Sequence, residues 1–284
     1  MLNAPTFSIP TLTCSIDQFY LRRKEQQDLA ASHLSNPLVQ HRGQASTHDL
    51  PLAIEVLSSL RQGLPTKIPD FDKSAFNGEG DQIAYERWQV VNEPEQKRIE
   101  LVILEGWCIG FQALSDADLQ QSWEDAVLQY ARDGRKSPLA ASQLSSIHFV
   151  NAALRSYENL LNQIDSIILL DAEDPQLVYE WRIEQEHALR KSHGSGMTDK
   201  QVIAFVDDYF PAYQLYTHAL RTSPCRGDQL QLLLDRERRY AFLYPSLFSF
   251  LLCSECTHEV TTVDEFMFDQ PFPCACKLSV DDLR

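Results

Sequence analysis

The sequence predicts an α/β fold, a parallel sheet with helices on both faces, and three observations carry that prediction. Short apolar runs recur at Ile99–Leu104, Asp165–Leu170 and Leu230–Leu234. They are β-branched or leucine-rich and apolar on both faces, as buried parallel strands are. Segments with apolar residues at helical spacing separate them. No turn signal joins the runs as a hairpin, so crossover connections are expected.

Taken in order, residues 7–16 read as a strand that ends at Asp17-Gln18-Phe19-Tyr20-Leu21. Residues 22–33 read as an exposed helix. Asn36–Asp49 is a polar loop carrying Arg42, Gly43, His48 and Asp49. Leu52, Val56, Leu57 and Leu60 then recur at helical spacing, closed by Gly63 and Pro65. Ile68–Asp81 is a second polar loop, with Asp72, Lys73 and two glycines. The strand Ile99–Leu104 runs into Glu105-Gly106. That places an ionisable residue at a carboxyl end, where open α/β sheets hold their ligands.

Ser115-x-x-Asp118 has capping-box spacing. The helix it opens carries Leu119, Trp123, Val127 and Tyr130 and stops at Gly134. After a serine-rich linker, Ile147, Val150, Leu154, Tyr157 and Leu161 form the stripe of another helix. Asp174-Pro175 opens a third, with proline in its first turn. Thr198-x-x-Gln201 caps a fourth, which Pro211 is expected to bend or break.

The 284 residues suffice for a substantial core. With 25 Lys+Arg against 40 Asp+Glu, the formal charge is −15. This argues against non-specific nucleic-acid or anionic-membrane binding and leaves room for a local basic pocket. No apolar run reaches the ~20 residues of a membrane span, and no secretory signal is legible. A cytoplasmic protein is expected, whose seven cysteines are thiols or metal ligands rather than disulfides.

The chain contains no Gly-Lys pair, so G-x-x-x-x-G-K-[ST] is absent, and G-x-G-x-x-G is absent too. No serine sits on a strand-to-helix elbow, although His48-Asp49 offers two members of a hydrolytic triad. The residues alone therefore give a parallel α/β protein with polar loops at its strand ends.

Six motifs in the same order extend that reading. Ser15–Leu21 (SIDQFYL), Gln40–Asp49 (QHRGQASTHD), Ile68–Asp81 (IPDFDKSAFNGEGD), Leu104–Phe111 (LEGWCIGF), Glu180–Glu186 (EWRIEQE) and Gly196–Tyr216 resemble the fungal and plant D-glycerate 3-kinase family. These are kinases of the P-loop NTPase fold. The resemblance implies ATP- and Mg2+-dependent phosphoryl transfer to a small hydroxylated metabolite, chemistry that is mostly positioning and charge neutralisation. It gives Asp17 the role of taking the substrate's proton or holding magnesium, and Glu105 that of orienting magnesium or the attacking group. The family often has a second Asp where Gln18 stands. Arg42, His48 and Asp49 match a loop shaping the substrate pocket, with Arg42 suited to a bidentate carboxylate contact. Asp72, Lys73 and Asp81 match a second substrate-side loop, Lys73 supplying a point charge. Arg182 matches a nucleotide-side arginine of the lid.

One departure stands at the front. The family's Walker A loop and the central strand feeding it precede the segment matching Thr11, so both are expected to be missing. The strands at Ile99–Leu104 and Asp165–Leu170 would then lie two spacings apart, about 9–10 Å, with unpartnered amides. Either an upstream segment is lost from this sequence, or the protein is a remnant with impaired ATP binding. A non-catalytic kinase-like protein, of the kind found in fungal clusters for indole alkaloids such as the notoamides, is the alternative.

The expected organisation is a kinase-like domain over residues 1–239 and an atypical Cys-rich extension over 240–284. Cys253-x-x-Cys256 and Cys274-x-Cys276 supply four thiols, a donor set for tetrahedral zinc. The single spacer in the second pair and the end of the resemblance upstream favour an unrelated extension instead.

Overall fold

The computed structural model describes residues 9–134, 136–194, 196–222, 228–245 and 274–279. Thr11–Ser15 forms β1. A tight 3-10 turn over Ile16–Phe19 follows, fixed by a capping box. Ser15 Oγ accepts from the Asp17 amide, and Gln18 Oε1 accepts back from the Ser15 amide. Arg23–Ser32 is α1 and Leu50–Arg61 is α2. Four short strands come next: Thr66–Ile68 (β2), Phe71–Asp72 (β3), Asp81–Gln82 (β4) and Gln89–Val91 (β5). They pair as two small antiparallel ribbons, β2 with β5 and β3 with β4.

Leu101–Glu105 is β6. The helices Asp116–Asp133 (α3), Pro138–Ala141 (α4), Leu144–Leu154 (α5) and Glu158–Leu161 (α6) follow it. Ser115 caps α3 by accepting from the Asp118 amide, as its spacing predicts. Ser166–Ala172 is β7, Leu177–His193 is α7 and Asp199–Thr222 is α8. The last strands are Asp228–Leu234 (β8), Tyr240–Pro245 (β9) and Cys274–Ser279 (β10).

The main sheet runs β1-β6-β10-β7-β8-β9. β1 is parallel to β6, and β7 to β8. β10 is antiparallel to both of its neighbours, so β6 and β7 point the same way. Four strands thus meet the parallel expectation, and the expected absence of hairpins is corrected. β8 and β9 form a hairpin across residues 235–239. Its turn is built on Asp235, whose carboxylate accepts from the Arg239 amide, and on Arg238 at φ +60°. An arginine in the left-handed region carries none of the glycine pattern by which hairpins are read.

β6 and β7 do not pair with each other, and β10 lies between them. Cys276 stands opposite Leu104 on one side and Ile167 on the other. The expected row of unpartnered amides is therefore corrected: the ladder is completed by a strand from the far end of the chain. The expected zinc ligands Cys253 and Cys256 lie outside the described residues, as do the side chains of Cys274 and Cys276.

Pro211 does not break its helix; α8 runs through it unbroken. The surrounding turns are buried through Val206, Phe210, Ala212 and Leu215, and this packing overrides the local cost of a proline. A large core joins Phe19, Leu57, Leu104, Ile109, Leu119, Ile147 and Ile167. A separate small cluster, Val178, Val202, Val206 and Phe210, holds α7 against α8. Among the described residues no helix is long and apolar enough to cross a membrane.

Candidate active site

A cleft of about 840 Å³ opens among α1, the loops 36–49 and 69–80, and the α7–α8 pair. That lies within the roughly 300–1,000 Å³ range of small-molecule sites. Four of the residues expected from the sequence meet in its wall: Asp17, Arg42, Lys73 and Arg182.

Asp17 sits in the rigid turn after β1 and is only 5% exposed. Lys73 Nζ reaches its Oδ2 at 3.0 Å from the other loop. Tyr20 also hydrogen-bonds to Asp17; burial first, and then the Asp17 charge, push its phenol well above the usual tyrosine range. Asp17 is thus a buried carboxylate at a cleft wall, paired with the Lys73 ammonium.

His48 does not line the cleft; it lies behind that wall, stacked on Tyr20 with ring centres 4.7 Å apart. Its Nδ1 is 2.6 Å from Tyr157 Oη. Among the described residues Nε2 has no hydrogen-bond partner. Burial lowers the imidazole pKa to about 4, with Asp17 acting in the opposite direction.

That shift makes a pH prediction. The folded pKa of His48 lies below its ordinary value of 6.5, so the unfolded chain binds more protons between the two. Its contribution to stability is complete above about pH 6.5 and is lost as pH falls through 4, roughly 3 kcal/mol in all. Urea unfolding at pH 7, 5.5 and 4 measures it. His48→Gln flattens the slope over this window; a variant with an unchanged slope places the acid sensitivity elsewhere.

Arg42 lines the cleft, yet its guanidinium is engaged with backbone carbonyls of the 73–79 loop. Arg182 extends from α7 over the Phe205 ring at 5.1 Å. Its Nη2 lies 3.5 Å from Glu186 Oε2, while Glu186 Oε1 accepts from the Met197 amide. Glu186 is 2% exposed, so a buried carboxylate links Arg182 to the connection between α7 and α8.

The structure sets the other expected residues apart from the cleft wall. Asp49 caps α2, accepting from the Leu52 amide at 3.0 Å. Asp81 Oδ1 accepts from the Arg23 amide at the start of α1. Asp72 Oδ1 accepts from the Ser74 hydroxyl and the amides of Ser74 and Ala75. The Ser74 hydroxyl is the main cause that lowers its pKa. Glu105 ends β6, in register with Ser15 of β1 and Ala275 of β10. Its charge adds to burial in pushing the Cys14 thiol up to about 12. Among the described residues no three His, Cys, Asp or Glu side chains group as a metal site.

Sequence reasoning passed over Trp107 and Tyr209, which also line the cleft. Trp107 Nε1–H donates to the Gly43 carbonyl, and Tyr209 O–H donates to that of Arg42. Both residues lie in the quoted motifs, but neither carries the charge by which candidates were chosen. Arg23 and Glu79, an ion pair at 2.7 Å on the rim, were missed for lack of any local pattern.

The chain is 37% identical over 227 residues to an uncharacterized kinase of Schizosaccharomyces pombe, covering 79% of this chain and 76% of that one. A solved D-glycerate 3-kinase from Cryptococcus neoformans superposes with a TM-score of 0.78 at 33% identity, covering 86% of this chain and 82% of that structure. The chain belongs to the glycerate kinase-like family of kinases. A probable ATP-dependent kinase of Saccharomyces cerevisiae is 35% identical over 234 residues, 78% of this chain and 71% of its own length. No family model matches the glycerate kinase-like chain described here.

Proposed function

We propose that this chain carries the acceptor side of an ATP-dependent small-molecule kinase and binds a small hydroxylated carboxylic acid of the glycerate type. The single observation behind the reading is the buried Asp17 meeting Lys73 at 3.0 Å in a cleft that Arg182 also lines. A buried carboxylate at hydrogen-bond reach of an incoming hydroxyl is suited to accept its proton. Lys73 is the cation able to turn from Asp17 to the acid's carboxylate or to a transferring phosphoryl group. Arg182 faces the same space and supplies a fixed positive charge.

The described residues do not fit a bound triphosphate or its magnesium. The sequence has no Gly-Lys pair. β10 occupies the place between β6 and β7 from which a phosphate-gripping turn would rise. The pocket at the carboxyl end of β7 holds only about 50 Å³, and its lining includes Trp107, Phe111 and Leu169. Its one arginine, Arg221, is already bidentate on Asp171. Nothing there makes a nest of amides for phosphate oxygens. No step through ATP is therefore derived, and phosphoryl transfer by the 284 residues alone is proposed to be impaired. The acceptor chemistry is proposed to lie within residues 1–239, while strands β9 and β10 from residues 240–284 complete the same sheet. The same filled slot favours a second reading, a kinase-like protein that binds without turnover.

Calorimetric titration of the 284-residue chain with D-glycerate and, separately, with ATP tests both readings. Glycerate is expected to bind, and Lys73→Met to weaken it about tenfold, as for a lost charge-assisted contact. Absence of glycerate binding defeats the acceptor assignment. Tight ATP loading with turnover defeats the claim of impairment.

A further inference from the structure

Arg42 reads in the sequence as a cation for a substrate carboxylate, but its atoms are committed elsewhere. Nη1 donates to the carbonyls of Gly78 and Glu79, each at 2.6 Å, and Nη2 donates to that of Lys73 at 3.4 Å. The guanidinium also lies 5.6 Å from the Phe71 ring centre and 5.9 Å from that of Tyr20. Its own carbonyl accepts from Tyr209 O–H at 3.0 Å. The next carbonyl, that of Gly43, accepts from Trp107 Nε1–H at 3.1 Å. One residue is thus fastened through its backbone to α8 and through its side chain to the loop that carries Lys73.

That loop needs an external tie. Phe76 and Asn77 hold φ at +52° and +57°, a region costing non-glycine residues about 1 kcal/mol or more each. Such a shape persists only where neighbours over-determine it. The Arg23–Glu79 pair ties the rim, and Arg42 bridges the two ends of the loop, at residues 78–79 and at Lys73.

We propose that Arg42 is a positioning residue: it braces loop 73–79 so that Lys73 stays at Asp17, with Tyr209 anchoring it from α8. The brace stands on geometry alone, while its consequence for ligand binding rests on the acceptor-site reading. Only a planar fork serves here. A lysine has donors at a single point on a flexible stem and cannot span carbonyls on residues 73, 78 and 79.

The experiment measures the rate at which acetic anhydride labels the Lys73 amine in the full chain, by mass spectrometry. Asp17→Asn sets the ceiling by removing the ion-pair partner. Arg42→Lys, which keeps the charge, is expected to raise labelling about tenfold toward that ceiling. Tyr209→Phe, which keeps the ring, shifts it less in the same direction. In parallel, Arg42→Lys is expected to lose D-glycerate binding as fully as Arg42→Ala. Wild-type labelling in Arg42→Lys overturns the brace, whether or not glycerate binds. Retained glycerate affinity in Arg42→Lys also overturns it, because Arg42 would then be a simple cationic contact. Should wild type bind no glycerate, the acceptor reading fails and labelling still decides the brace. Should Arg42→Lys not fold, Tyr209→Phe decides. Unchanged Lys73 labelling together with unchanged amide exchange over residues 73–79 overturns the proposal.

Discussion

Gly43→Ala destabilises the protein by roughly 2–5 kcal/mol, a large part of the 5–15 kcal/mol typical of a folded domain. Gly43 holds φ at +137°, and a Cβ there would stand 2.2 Å from Tyr209 Oη and 2.5 Å from its Cε1. Backbone strain of about 1–3 kcal/mol adds to the overlap. Tyr209 is not free to step aside. Its hydroxyl donates to Arg42, and its ring meets those of Trp107 and Phe205 at 5.1 and 4.8 Å between centres. Displacing it would also release the loop bearing Arg42 and enlarge the cleft. Denaturant unfolding gives the stability change, and Tyr209→Ala in the same chain should recover the overlap part alone. A Gly43→Ala protein within 0.5 kcal/mol of wild type, well inside the range of an ordinary surface change, means that the ring does not cover the glycine.

Arg221→Met is the second large effect, expected at about 2–4 kcal/mol. Asp171, at the carboxyl end of β7, is 5% exposed. Arg221 near the end of α8 grips it through Nε at 2.5 Å and Nη2 at 2.7 Å, and Gln231 of β8 donates at 2.8 Å. Removing the guanidinium leaves a buried carboxylate with an amide as its remaining charge-free partner in this trio. The lower end of the range applies because Arg221 is a third exposed and shares its partner with water. Adding Asp171→Asn removes the stranded charge, so the double variant should regain most of the loss. A double variant as unstable as Arg221→Met shows that the lost packing of α8, rather than the charge, carries the effect.

Both effects belong to tertiary contacts, and they mark where a linear reading stops. The neighbours in SIDQFYL single out Asp17, and in the structure Asp17 and Lys73 share one cleft wall. Asp49 and Asp81 were chosen by the same resemblance, yet each accepts a backbone amide at a helix start. A carboxylate beside a helix looks alike in sequence whether it serves a ligand or a cap. Arg42 lines the cleft. Its engagement with the carbonyls of residues 73, 78 and 79 depends on a loop some thirty residues away, which no local pattern encodes.

The strands at Leu101–Glu105, Ser166–Ala172 and Asp228–Leu234, the main helices between them, the caps at Ser115 and Thr198 and the family itself were determined by the sequence alone. Those features follow from side-chain periodicity, local hydrogen bonding and shared motifs, all written within a few residues of one another. Which strand lies at the centre of the sheet was decided only in three dimensions. Cys274–Ser279 pairs between β6 and β7 because two parallel ladders left inner amides and carbonyls to be satisfied. That demand arises from backbone groups common to every residue, so it leaves no mark on the side-chain pattern from which a sequence is read.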